Sequence, residues 1–541
     1  MTGTATRTGG EWVVAALGAE GVRHVFGIPG VHNLAIYDAL LRQDRITHVL
    51  ARHEQGAGFM ADGYARSSGR PGVIVVTTGP GATNALTPLV EAHAGSQPVL
   101  LVMSDVPSAL VGQDLGALHE VPNQIECFRP VSRWADALRG GAEIPARSRA
   151  PSTSSGPAGP GPVALSIPTD LLSAPVAARL TPAGEGRRPP CDVGLIEEAA
   201  RYLARAERPI LVAGGGADRG GGDREFLALA RRLRAPVVTS VMGRGSIPET
   251  DPLWLGVLPN RRATQEALEA ADVILAVGCR FSHRSTKGLL LNLEFRPDQA
   301  LIQIDLDPRT IGRMHVPALG IVGDARDGLA GLLGAMPAEA PVSAWDWTAL
   351  HRARDAREPS LHGDDRTGCS GPSARRCRRM ESWWAIRRAS TIGWSGTSRS
   401  WRPGRSSTRS ARRRSATASR PRSGRRSRAR PRGRRRRRRR GTLFTAAELA
   451  TAAKYRLPVV YVVMNDQDYG AIRYLQTQLY GRTGEHALAG PDVLALARAF
   501  GVEAYQAASP EALRPALDEA LALSGPALIE VPLAIEPPWG L

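Results

Sequence analysis

Apolar runs without polar alternation recur along this chain. Val73-Ile74-Val75-Val76-Thr77 runs into Gly79-Pro80-Gly81, and Pro98-Val99-Leu100-Leu101-Val102 follows. Runs of this kind, separated by segments of helical spacing, predict parallel strands buried on both faces. Ahead of them, Trp12 to Leu17 reads as a helix start, His24 to Phe26 as a short strand and Gly27-Ile28-Pro29-Gly30 as a turn. The pattern returns over 193–335. A helix is expected from about Gly194 to Ala206, with strands at Pro209–Ala213, Pro236–Thr239, Val273–Val277, Leu301–Ile304 and Gly320–Val322. That order is Rossmann-like. A third stretch begins with a helix opened by Leu443-Phe444 and running through Lys454, followed by a buried strand at Val459–Met464. A chain of 541 residues is too long for one core and suggests about three domains. The expected fold class is α/β, with three doubly wound parallel-sheet domains at 1–180, 190–340 and 350–541, the third partly disrupted.

Two segments break the pattern. Residues 145–161, PARSRAPSTSSGPAGPG, read as a linker or as a lost amphipathic helix. Between His362 and Arg440 there is no Leu, Val or Phe, and four tryptophans stand among Arg, Ser, Gly and Pro. Such a composition buries too little apolar surface to offset chain entropy, so 360–440 is expected to be disordered or out of frame.

Charge sharpens this division. Residues 371–440 hold 27 Arg, no Lys and one acid, a net +26; against the whole chain's +19, the remainder carries −7. The basic signal belongs to one tract, which predicts non-specific polyanion binding there and an acidic, enzyme-like body elsewhere. The five cysteines are scattered and form no CxxC pair, which argues against a disulfide framework or a zinc site. No apolar run reaches membrane-spanning length, and the expected location is the cytoplasm.

The chemistry-bearing residues are Arg52-His53-Glu54-Gln55-Gly56, which follow a strand and open a helix, with Gly27-Ile28-Pro29-Gly30 upstream and Thr78-Gly79-Pro80-Gly81-Ala82-Thr83-Asn84 downstream. Alone, Glu54 is a carboxylate complementing a helix dipole. Together the three motifs resemble the pyrimidine-binding domain of the acetolactate synthase superfamily of thiamine-diphosphate enzymes. The resemblance implies that Glu54 contacts N1′ of the aminopyrimidine and is the catalytic carboxyl, with Pro29, Gly30, Gly79 and Asn84 also at the cofactor. A carboxyl suits this role because it shares a proton with the ring nitrogen, while the cofactor supplies the electron sink.

Met464-Asn465-Asp466-Gln467-Asp468-Tyr469-Gly470, at the end of the last predicted strand, resembles the downstream half of the family's diphosphate and magnesium site. Asp466 is implied as a side-chain ligand, Asp468 as a backbone-oxygen ligand and Tyr469 as a cofactor contact. Read without the family, the string is also an Asx-rich turn. The upstream half, Gly-Asp-Gly, belongs at 438–440, where Arg438, Arg439 and Arg440 stand. Gly-Asp-Gly codons GGC GAC GGC, read from the third base, become CGA CGG CGx, three arginines. Compensating frame errors starting within 340–370 and ending at 440 therefore account for the tract.

The resemblance further implies a homodimer or homotetramer. The implied reaction is addition to a 2-oxo acid with loss of CO2, then attack on a second carbonyl or protonation. FAD, which some acetolactate synthases bind centrally, is unsupported: Gly214-Gly215-Gly216-Ala217 misses the dinucleotide fingerprint and reads as turn and packing glycines. Gln113, His119 and His32 are substrate candidates. Leu118-His119-Glu120 and Gly30-Val31-His32 resemble 2-oxo acid decarboxylases acting on 5-guanidino-2-oxopentanoate, while both histidines read equally well as polar surface residues.

Overall fold

The computed structural model of the chain describes residues 4–148, 159–180, 189–258, 262–283, 293–337, 343–355, 434–438, 442–484 and 490–532. Most of 145–161 and nearly all of 360–440 lie outside these, so the frame-error and linker expectations do too.

The first region opens with β1 (Ala5–Thr8) and a helix, Gly9–Ala19, entered through a capping box between Thr8 and Glu11. Strands β2 (His24–Gly27), β3 (Thr47–Leu50), β4 (Gly72–Val76), β5 (Val99–Asp105), β6 (Ala135–Ala137) and β7 (Val163–Pro168) form a six-stranded parallel sheet in the order β3-β2-β4-β5-β7-β6. Every residue of β4, β5 and β7 is buried, as their unbroken apolar runs require of strands covered on both faces. Strand β8 (Pro175–Ala178) returns to pair antiparallel with β1, and the Trp12 indole N–H donates to Val176 O at 3.0 Å.

The second region holds β9 (Pro209–Ala213), β10 (Val237–Thr239), β11 (Trp254–Val257), β12 (Val273–Val277), β13 (Ala300–Asp305) and β14 (Leu319–Val322) in one parallel sheet, order β11-β10-β9-β12-β13-β14. All five expected strands fall within a residue of where the sequence puts them. The edge strand Trp254–Val257 escapes the sequence reading because Trp254-Leu255-Gly256-Val257 is short and carries an internal glycine. The Cβ positions of Gly214 and Gly216 would fall 1.9 Å from Gly278 O and 2.7 Å from Gly278 Cα, so these glycines pack one turn against another. Arginines join the first two regions. The Arg219 guanidinium donates to Gly95 O and Ser96 O at 2.7 and 2.8 Å, and Arg133 pairs with Asp307 at 3.0 Å.

The third region carries β15 (Arg434–Arg438), β16 (Val460–Asn465), β17 (Glu503–Gln506) and β18 (Ala527–Pro532) in a smaller parallel sheet, order β15-β16-β18-β17. Arg434–Arg438 pairs in register with Val460–Met464. These five residues depart from the expectation of disorder, because a backbone ladder asks only for N–H and C=O groups and not for particular side chains. The single helix expected from Leu443 through Lys454 is interrupted: Thr442 and Leu443 are helical, and the helix Glu448–Lys454 follows only after a break. Residues 444–447 form turns and Phe444 is exposed.

Candidate active site

The carboxyl end of the first sheet gathers most of the residues singled out above. The helix Glu54–Ser68 starts directly after β3, with His53 as its N-cap and Glu54 in its first turn. Glu54 is half-buried, and the Asn84 amide donates to its Oε2 at 3.0 Å, fixing one face of the carboxyl. Asn84 ends the short helix Pro80–Asn84 that follows β4. Its N-cap, Gly79, has φ +63°, and a Cβ there would sit 2.3 Å from His119 O, so only glycine fits both the conformation and the contact. The loop carrying His119 is thus drawn over the start of the helix that holds Asn84.

Gly30 sits on the Thr77 side chain, where a Cβ would come within 2.7 Å, and its N–H donates to Asn33 Oδ1 at 2.8 Å. Pro29, beside it, is exposed. His32 lies in the turn Val31–Asn33 and is 8% exposed, which removes the surface reading for this residue. His119 is exposed, and its ring centroid stands 6.1 Å from that of His32. Burial, then the neighbouring His119, pull the His32 imidazole below its ordinary value. Gln113 is exposed, between Gly112 and Asp114, both of positive φ.

Two residues that the sequence reading missed hold this arrangement. Gln124, buried, accepts through Oε1 from Thr78 Oγ1 at 2.9 Å and from Gly79 N at 2.7 Å, and its amide donates to Ser104 O at 3.1 Å. It clamps the β4 loop to β5, a role that no local motif marks. Glu448, from the third region, accepts through Oε1 from Arg52 N at 3.0 Å and His53 N at 3.1 Å. A Cβ on Gly56 would meet that oxygen at 2.2 Å, so Gly56 leaves room for the docking carboxylate. An anion at the first turn of a helix is electrostatically favoured. The signal available in sequence was Gly56 two residues after Glu54, legible only with the partner carboxylate in hand.

Asp466, Asp468 and Tyr469 lie together after β16, with Tyr469 as N-cap of the helix Gly470–Tyr480. Asp468 N donates to Asp466 Oδ1 at 3.4 Å, and Arg473 pairs with Asp468 Oδ2 at 2.5 Å. Asp468 Oδ1 is buried without a hydrogen-bond partner.

These features can be tested against thiamine diphosphate. In the first region, Thr77 Oγ1 and His32 Nδ1 are buried without partners beside a half-buried carboxyl, as a cradle for a polar heteroaromatic ring requires. The pyrimidine half fits. For the metal half, Asp466 and the unpartnered Asp468 oxygen are hard donors suited to magnesium. Arg438, Arg439 and Arg440 bring no side-chain acceptor. Among the described residues no group of three or more His, Cys, Asp or Glu could enclose a metal ion. The metal half is incomplete.

No helix among the described residues is long and apolar enough to cross a membrane. Three family matches fall along the chain: thiamine pyrophosphate enzyme, N-terminal TPP binding domain, at 7–127; central domain at 196–332; and C-terminal TPP binding domain at 441–531, opening directly after the arginine tract. A probable acetolactate synthase large subunit of Methanocaldococcus jannaschii is 31% identical over 97% of this chain and 91% of that protein. Acetolactate synthase isozyme 3 large subunit of Escherichia coli is 31% identical over 95% of this chain and 92% of its own length. A probable 2-ketoarginine decarboxylase of Pseudomonas aeruginosa is 42% identical over 63% of this chain and 60% of that protein. By its motifs, its parallel sheets and these matches across all three regions, the chain belongs to the thiamine pyrophosphate enzymes.

Proposed function

We propose that the reaction encoded here is thiamine-diphosphate-dependent decarboxylation of a 2-oxo acid followed by joining of the remainder to a second carbonyl, as the acetolactate synthase relatives suggest. The observation that carries this reading is the Asn84-held Glu54 carboxyl in a cradle closed by Gly79 and His119. Bound there, the cofactor supplies a carbon nucleophile and an electron sink. Glu54 would hold or release a proton at the pyrimidine nitrogen, while Asn84 fixes the carboxyl's orientation. Pro29, Gly30 and Gly79 would line the ring, Tyr469 would contact the cofactor, and Asp466 and Asp468 would supply the surviving metal donors. Simple decarboxylation is the second reading. It is favoured by the 42% identity to the 2-ketoarginine decarboxylase and by His32 and His119 on the substrate side.

In this reading the domains are pyrimidine-binding at 1–180, central at 190–340 and diphosphate-binding at 350–541, and the protein is a cytoplasmic homodimer or homotetramer. The arginines at 438–440 are the residue of a frame error. Calorimetry with cofactor and magnesium, beside a 2-oxo acid turnover assay, tests this. The chain as it stands should bind cofactor weakly, through Arg–diphosphate pairing, and turn over nothing. Restoring the frame across 340–441 should recover magnesium-dependent binding and turnover. Micromolar, magnesium-dependent binding with turnover by the unmodified chain would overturn the frame-error account.

A further inference from the structure

The first and third regions enclose between them a partly open cavity of about 180 Å3. One wall is the helix Glu54–Ser68, through Gly56, Phe59 and Met60. The facing wall is the third region, where Leu449 and Ala452 of the helix Glu448–Lys454 stand beside Tyr461 of β16. At 3.6 residues per turn, Gly56, Phe59 and Met60 lie about 140° to 240° round their helix from Glu54. The cavity is therefore on the back of that helix, away from the carboxyl held by Asn84.

The one carboxylate on its walls is already engaged. Glu448 accepts from Arg52 N and His53 N through Oε1, and from the buried Thr451 hydroxyl through Oε2 at 2.7 Å. A charged ligand would have to shed water here with no counter-charge to meet it. What the walls leave uncovered is apolar. Phe59, Met60 and Tyr461 are only half-buried, in front of the buried Leu449 and Ala452. Covering such surface is favourable in proportion to its area. Two aromatic rings and a thioether add the edge and sulfur contacts that another ring satisfies. Size sets the limit: a dry cavity of about 150 Å3 holds one benzene, so this one has room for a single ring with a small substituent.

We infer that this cavity is a binding site for an uncharged, single-ring aromatic molecule, separate from the cofactor cradle. A ligand here touches both regions at once and binds only while they are docked, so it stabilises the docked form. Glu448 holds the two amides just ahead of Glu54, and the ligand braces the joint on which that helix start is seated. The site asks for neither cofactor nor metal, and it stands or falls apart from the 2-oxo acid reading.

The test is calorimetric titration of the full chain with toluene, and with benzylammonium and benzoate as charged molecules of similar shape. Toluene should bind one to one with a Kd on the order of 0.1–1 mM, as expected of so small a ligand. The two ions should bind at least about 10-fold more weakly. Ala452→Leu, which fills the cavity, should weaken toluene by about 10-fold or more. Hydrogen exchange on the unaltered chain locates the site even if that variant fails to fold: toluene should slow exchange at 55–60 and 448–455 and leave 209–213 unchanged. Absence of saturable toluene binding overturns the site, as does slowed exchange confined to other segments or undiminished binding by a folded Ala452→Leu. Ions binding as tightly as toluene overturn the uncharged class.

Discussion

The first and third sheets are built on the same plan and differ in what stands beside the site. In the first, β4 and β5 are apolar and wholly buried, and the loop after β4 reaches Glu54 through Asn84. In the third, β16 and β18 are just as apolar, yet their neighbour β15 is five arginines. Its backbone still pairs, residue for residue, with Val460–Met464. A parallel ladder is indifferent to side chains, whereas a metal site depends on them. A strand of arginines can thus keep its hydrogen bonds while its side chains offer a metal no acceptor.

The largest effect expected from this contrast lies in the tract itself. Residues 371–440 should bind DNA or RNA in proportion to phosphate contacts, losing about 10³-fold or more in affinity from low to physiological salt. Competition between a specific and a scrambled oligonucleotide should show no preference; a ratio of about 10³ or more would point to an evolved nucleic-acid site.

On the intact side, Glu54→Gln in the frame-restored protein should cut turnover by about 10²- to 10⁴-fold with the fold retained. Near-native turnover would remove Glu54 from the mechanism. The two regions meet at Glu448, and Glu448→Ala strands the Arg52 and His53 amides. A loss of about 1–3 kcal/mol is expected, read by chemical denaturation, with faster hydrogen exchange at residues 50–57. An unchanged exchange pattern would show that the docking contact does not hold the Glu54 helix.

The smallest effect is pH. Burial holds His32, His48 and His93 of the first region below their ordinary value. They stay neutral in the folded protein while the unfolded chain protonates near about 6.5. Their contribution is therefore present above that pH and is lost as pH falls below it. The third region has no described histidine. Hydrogen exchange at about pH 7 and about pH 5.5, corrected for intrinsic rates, should show the first sheet losing protection more than the third. Equal losses would contradict the assignment.

Much of this was legible in the chain. Unbroken apolar runs at 73–77, 98–102, 209–213 and 273–277 marked buried parallel strands, because a strand covered on both faces has no solvent side to alternate with. Glu54, Gly79 and Asn84 were legible through the resemblance their three motifs carry together; spacing alone left Glu54 as a carboxylate at a helix start. The break at 444–447 was not legible, since the apolar Phe444 reads as helix core but lies exposed in the turns.

Local spacing thus determined the sheets, the turn glycines and the proximity of Glu54 to a helix start. Tertiary structure alone decided that Gln124 clamps Gly79 and that Glu448 reaches back across nearly four hundred residues of chain to the helix carrying Glu54. It also decided that the ring of His32 is buried beside that of His119. Each of these depends on two strand ends or two domains meeting in space. Sequence periodicity reports which face a residue takes within its own element and carries no term for what another element brings to that face.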